Sequence, residues 1–161
     1  LTTKKAIELF GHYNVFTEVE LHAREEIQYE VYAKTINIEA KTMLDMALKD
    51  ILPAVSEYSG TLCNTVLSKK AVCKKIDCRY EEDMIAKINA LTEEAYMRVQ
   101  ALEKAVLDAD AVCAPDVRAT YYKDNVLKEM EALRKATNGL ESIVSAEYWP
   151  FPTYGDLLFE V

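Results

Sequence analysis

Apolar residues recur at steps of three and four along nearly the whole chain, and strict alternation bounded by turn dipeptides is missing. The pattern therefore predicts helices and gives no support to a sheet. A short helix is expected over Thr3 to Phe10, stopping at Gly11. The next helix has a marked start. Thr17 and Glu20 stand at capping-box spacing: the hydroxyl accepts from the third helical amide, and the glutamate reaches back to the cap's own N–H. Phe16 and Leu21 flank that box as a hydrophobic staple. Beyond them Ile27, Val31, Ile36, Ala40, Met43, Ala47, Ile51, Val55, Tyr58, Leu62 and Val66 read as one buried face. Pro53 has no amide to donate and its ring crowds the carbonyl of Lys49, so a kink is expected near Leu52, with the pattern resuming in register after it.

The polar stretch Lys74 to Arg79 predicts a loop. A second long helix is expected from about Tyr80 to Val112, with Met84, Ile88, Leu91, Ala95, Val99, Leu102 and Val106 on its face. Ala114-Pro115-Asp116 ends it and opens a third, because proline fits a helix's first turn. Tyr121, Val126, Met130, Leu133, Leu140 and Val144 mark the third face, which Gly139 should weaken locally. Alternating threes and fours with short connections predict knobs-into-holes packing of antiparallel neighbours. The expected fold is all-α: an elongated antiparallel helical bundle of three to four long helices with an extended aromatic C-terminal tail. It reads as a single domain over 1–161, divided into a short helix and connection (1–16), the bundle (17–147) and the tail (148–161). In the tail, Pro150 and Pro152 prevent a continuing helix and favour an extended path. Its rings need cover from the bundle or from a neighbour.

Composition narrows the function classes. A length of 161 residues suits one domain with a sizeable core. No run approaches the ~18 consecutive apolar residues of a membrane span. The start lacks the layout of a signal peptide and begins at Leu1, so a cytoplasmic chain that is a fragment or a processed product is expected. With 27 acidic against 19 basic residues and a net charge of -8, a phosphate backbone is repelled. Neither nucleic acid nor a membrane is an expected partner. Lys69, Lys70, Lys74 and Lys75 read as lysines gathered at a helix C-terminus, where they complement its dipole. Cys63, Cys73, Cys78 and Cys113 fall at no zinc spacing and read as reduced thiols packed as small hydrophobes.

A long bundle raises di-metal carboxylate chemistry, which needs Glu-x-x-His on two helices. The histidines are His12 and His22, and neither has a glutamate three residues earlier. Glu18, His22, Glu25 and Glu26 share a helical face, and their plainer reading is a solvated acidic first turn that favours the dipole. No G-x-S-x-G, Walker lysine loop or G-x-G-x-x-G is present. Glu81-Glu82-Asp83 reads as a helix start. No catalytic, cofactor-binding or metal-binding residue is assigned.

Four segments carry a resemblance. Asn14-Val-Phe-Thr-Glu-Val-Glu-Leu-His-Ala-Arg24, Lys34-Thr-Ile-Asn-Ile-Glu-Ala40 and Lys49-Asp-Ile-Leu-Pro-Ala-Val55 resemble the C-terminal region of bacterial type III glutamine synthetases. The ending Glu147-Tyr-Trp-Pro-Phe-Pro-Thr-Tyr-Gly-Asp-Leu-Leu-Phe159 resembles the terminus of that family. The resemblance implies a parent glutamate–ammonia ligase that uses ATP and a divalent metal, magnesium or manganese, and assembles into homo-oligomeric rings. It places the catalytic residues upstream, so no cofactor is expected here. The implied role is subunit assembly or docking onto the catalytic domain of the same polypeptide and onto neighbouring subunits. Candidate contact residues are Lys34, Asn37 and Glu39 on the first long helix, and Trp149, Phe151, Tyr154, Leu158 and Phe159 in the tail. The alternatives are a standalone helical interaction or sensory bundle and a di-metal bundle enzyme.

Overall fold

A computed structural model describes residues 1–152 and 154–159. Helix α1 covers Lys4–His12, with the Thr3 hydroxyl accepting from the Ala6 amide at its N-terminus. Asn14 then takes a left-handed backbone (φ 50°), a conformation that asparagine tolerates better than most residues, and turns the chain into the next helix. The capping box forms as the spacing predicts: Thr17 Oγ1 accepts from the Glu20 amide at 3.3 Å, and a Glu20 carboxylate oxygen accepts from the Thr17 amide at 2.8 Å. The second of these bonds draws the Glu20 carboxyl below its ordinary pKa.

Helix α2 spans Glu18–Met46 and leads through a π-helical turn, Ala47–Ile51, into α3, Leu52–Val72. The expected kink at Pro53 takes this form. With no N–H at Pro53 and a crowded carbonyl before it, the hydrogen-bond ladder slips by one residue, and the Leu52 amide reaches back to the Ala47 carbonyl. The chain thus stays helical from Glu18 to Val72. A short loop leads to α4, Arg79–Asp110, followed by α5, Pro115–Tyr121, a second π turn, Tyr122–Val126, and α6, Leu127–Glu141. Among the described residues no strand occurs.

Ion pairs and contacts along the helices fix the topology. Lys69 and Lys70 at the end of α3 pair with Glu81 and Glu82 at the start of α4, so these two run antiparallel. Leu91 faces Gly139, Arg98 approaches Glu129 and Tyr122 hydrogen-bonds Asp110, a descending register that makes α4 and α6 antiparallel as well. The Arg118 Nε donates to the Val112 carbonyl at 2.7 Å and ties down the tight α4–α5 connection.

The core has two parts. One gathers Ile36, Leu44, Val99, Leu102, Val106, Tyr122, Val126 and Leu133 around small alanines such as Ala40 and Ala109, which let the helices approach closely. The other gathers Ile51, Val55, Leu62, Ile88, Ala95, Leu140 and Val144. The faces expected for α4 and for the third helix are these buried rows, with Met84, Leu91, Tyr121 and Met130 half-buried at their margins.

Three expectations need correction. Cys63, Cys73 and Cys113 are exposed, and of the four thiols Cys78 alone is buried. Ile27 and Val31 do not continue the buried face of α2; the step of five from Val31 to Ile36 turns about 140° around the helix and moves from one side to the other. Nor is the tail extended throughout. Trp149 to Pro152 bends, and Tyr154–Phe159 form a short helix, α7. A proline restricts itself and the residue before it, so the block on helical geometry ends at Pro152.

Candidate interaction surfaces

The tail begins by covering its own bundle. Tyr148, Trp149 and Phe151 pack half-buried against the second core cluster. The Tyr148 ring lies 5.3 Å from that of Tyr58, and its hydroxyl is 3.2 Å from the Thr61 hydroxyl. Leu157 and Leu158 of α7 stay open to solvent. The side chains of Tyr154 and Phe159 lie outside the described residues. Within the five tail residues singled out from sequence, then, Trp149 and Phe151 sit together and Leu158 stands apart.

Lys34, Asn37 and Glu39 fan out around α2 and do not make one patch. Lys34 is exposed and paired with Glu30 at 2.9 Å, one turn earlier. Asn37 is half-buried, and its Oδ1 is shielded without a hydrogen-bond partner. Glu39 stands at the rim of a groove of about 430 Å³ between α2 and α6, whose walls include Met43, Met46, Ala47, Met130 and Leu133. Three unbranched, polarizable methionines make that wall adaptable.

A surface that the sequence reading missed lies on the opposite side of α2 from the core. Ile27, Val31 and Ile38 are 59, 57 and 66% exposed and fall within an arc of about 40°, because steps of four and seven return almost to the same azimuth. Ile38 also lines the groove, so stripe and groove are continuous. The signal was present in the sequence: two apolar rows separated by a five-residue step mark a helix with two apolar faces.

Several polar side chains help to hold the bundle. Glu81 is buried against Lys69, and that hydrogen bond holds its carboxyl below the ordinary value while raising the lysine. Glu25 accepts from the Thr2 hydroxyl at 2.6 Å, which lowers it likewise. Burial pushes the Tyr122 phenol up to about 12, with the Asp110 carboxylate adding to the shift. His22, Glu25 and Glu26 line a shallow cleft beside Pro115 and Asp116. Among the described residues no three His, Cys, Asp or Glu side chains are grouped so as to hold a metal ion.

The family model of the glutamine synthetase C-terminal domain matches residues 1–70, the part that holds α1, α2, the first π turn and nearly all of α3. Relatives extend the match over the rest. A glutamine synthetase of Butyrivibrio fibrisolvens is 29% identical over 157 residues, covering 98% of this chain and 22% of its own length. The type-3 glutamine synthetase of Dictyostelium discoideum is 29% identical over 167 residues, with 99% and 22% covered. One from Bacteroides fragilis is 29% identical over 154 residues, with 90% and 20% covered. Over residues 1–70 the chain is similar to the glutamine synthetase C-terminal domain, and over nearly its whole length to these relatives. It spans about a fifth of the length of the curated relatives it matches. The blocks at 14–24, 34–40 and 49–55 that carried the resemblance lie inside the family model, whereas the block at 147–159 lies beyond its reach. The Ile27, Val31 and Ile38 stripe lies wholly within the part that the family model covers. No described helix of this chain is long and apolar enough to cross a membrane.

Proposed function

We propose that this domain is a non-catalytic assembly and docking module of a cytoplasmic type III glutamine synthetase, whose other portion joins ammonia to glutamate with ATP and a divalent metal. The observation that carries the reading is the end-to-end match to about one fifth of proteins named glutamine synthetase. Two features of the chain support the docking role. Several of its titratable groups with shifted pKa values are tied into the fold: Glu20 by the Thr17 cap, Glu81 by Lys69, and Tyr122 by its burial beside Asp110. Its surface keeps apolar side chains that its own fold does not cover, on α2 and at Leu157 and Leu158. The ring neighbours and the catalytic portion of the same polypeptide are the proposed partners, with the exposed Leu158 of the tail reaching a neighbour.

The test compares the intact enzyme with a form truncated before Leu1, by light-scattering mass and by glutamine formation from ATP, glutamate and ammonia. Loss of the ring on truncation, with an inert isolated chain, is the expected result. Turnover by the isolated chain, or an intact and active ring without it, would overturn the reading.

A further inference from the structure

We infer that the outer face of α2, centred on Ile27, Val31 and Ile38, is the seat of the polypeptide that precedes Leu1, which clasps this domain along α2. The inference rests on the reading of the chain as one part of a glutamine synthetase and names the surface and the occupant. Single exposed apolar residues are ordinary, but aligned β-branched residues directly opposite a buried face give the helix two apolar sides. Only one of these is covered by this chain.

The occupant follows from what lies outside the structure. The chain accounts for 22% of the relatives it matches best in coverage, so close to four-fifths of such a polypeptide lies beyond it. A C-terminal domain meets that remainder through its N-terminus. Thr2 is held at Glu25, on the first half of α2, so a chain entering through Leu1 is delivered to this end of the molecule. The same end exposes Leu9, Tyr13, Val15 and Val19 on α1, on the connection and at the start of α2. From Ile27 the apolar stripe runs through Val31 to Ile38, where it meets the methionine-lined groove, a length of ~17 Å along the helix axis. Charge fits this covering. Lys34 stands in the middle of the face with its ammonium already paired to Glu30, so the face can be covered without stranding that charge.

Hydroxyl-radical footprinting, read residue by residue by mass spectrometry, tests this on the full-length polypeptide and on this chain alone. Side chains now more than half exposed should reach the exposure of core residues, roughly a fivefold loss of labelling at Ile27, Val31 and Ile38 in the full-length protein. The pair Ile27→Glu and Val31→Glu should leave the melting temperature and circular dichroism of this chain unchanged, since both residues face solvent. In the full-length protein the same pair should restore labelling of Ile38 and speed proteolysis ahead of Leu1. Equal labelling in the two contexts would overturn the inference. So would protection that disappears when oligomers are diluted to single subunits, which would assign the face to a second copy. Failure of the assembly reading looks different: truncation leaves the ring active while the stripe stays protected.

Discussion

Replacing Gly139 by alanine sets two effects of similar size against each other, and the structure decides which wins. Glycine inside a helix costs about 1 kcal/mol relative to alanine, through the freedom it loses on folding. Gly139 stands two residues from the end of α6, where fraying reduces that gain to about 0.5–0.8 kcal/mol. Against this, a Cβ on Gly139 would stand 3.2 Å from Leu91 Cδ2 and 3.6 Å from Cδ1. The nearer contact is tighter than the ~3.5–4.0 Å optimum between carbons, so Leu91 has to withdraw by a few tenths of an ångström. Leu91 is half-buried at the margin of the second core cluster, and its branch can turn toward solvent at a cost of ~0.5 kcal/mol or less. The new methyl recovers part of that by contact. The expected outcome is a small stabilisation of about 0.3–0.5 kcal/mol, which raises the melting temperature by roughly 1–2 °C for a domain of this size. Gly139→Val cannot be absorbed by one rotamer and should destabilise by about 1–3 kcal/mol. Urea denaturation followed by circular dichroism, with unchanged slope, measures both. A loss of more than ~1 kcal/mol in Gly139→Ala would refute the reasoning, since it would mean that Leu91 is locked and the α4–α6 contact as rigid as a deep core.

The cap at Thr17 offers a second test: Thr17→Ala should cost about 1 kcal/mol and lower the melting temperature by roughly 2–4 °C. Glu20, freed from its cap bonds, should titrate closer to 4.5, as followed by NMR of its carboxyl carbon. Glu81 has a depressed folded pKa, so its contribution is complete above the ordinary value of 4.5 and is lost as pH falls through the lower, folded value. Stability measured by denaturation should drop on that acid limb, and Glu81→Gln should flatten the slope while lowering stability at neutral pH. Tyr122 behaves in the opposite sense, because its folded pKa is raised from 10.0 to about 12. Its contribution is complete below pH 10 and is lost between 10 and about 12, so this phenol should ionise late, later than Tyr58, which burial also raises, in an absorbance titration at alkaline pH. Tyr122→Phe should remove that late phase; its persistence would show that another phenol carries it.

The helices were legible because their signals are local. The Thr17–Glu20 box, the loop after Lys74 and the start at Pro115 each depend on a few adjacent residues, and each stands within a residue or two of its expected place. The buried rows of α4 and α6 were legible for a related reason, since an unbroken three–four rhythm cannot change sides. Other features depended on distant packing. The half-burial of Leu91 against Gly139 and the complete burial of Tyr122 beside the less buried Tyr121 depend on which neighbour α4 meets, and adjacent tyrosines look alike in sequence. Ile27 and Val31 misled because a hydrophobic residue announces a need for cover without naming the supplier. The π turn at Ala47–Ile51 was half visible: Pro53 forces the ladder to change, but whether it breaks or slips is settled by the inward packing of Ala47 and Ile51. Among the candidate contact residues, the rings of Trp149 and Phe151 announced their need for cover, whereas the separate azimuths of Lys34, Asn37 and Glu39 follow from simple helical geometry.

By slipping instead of breaking, the turn at Ala47–Ile51 keeps a single strut running from Glu18 to Val72, with a contour length of ~80 Å. Its two ends are fastened to different things: α1 and Thr2 at one, the Lys69–Glu81 and Lys70–Glu82 latches at the other. A tilt of about 5° imposed on the first turns of such a lever displaces the far end by ~7 Å if the strut holds straight. If it yields, it yields at the π turn, the point where its ladder is least regular. Pro53 therefore sets the fulcrum, and it sits where the first core cluster hands over to the second.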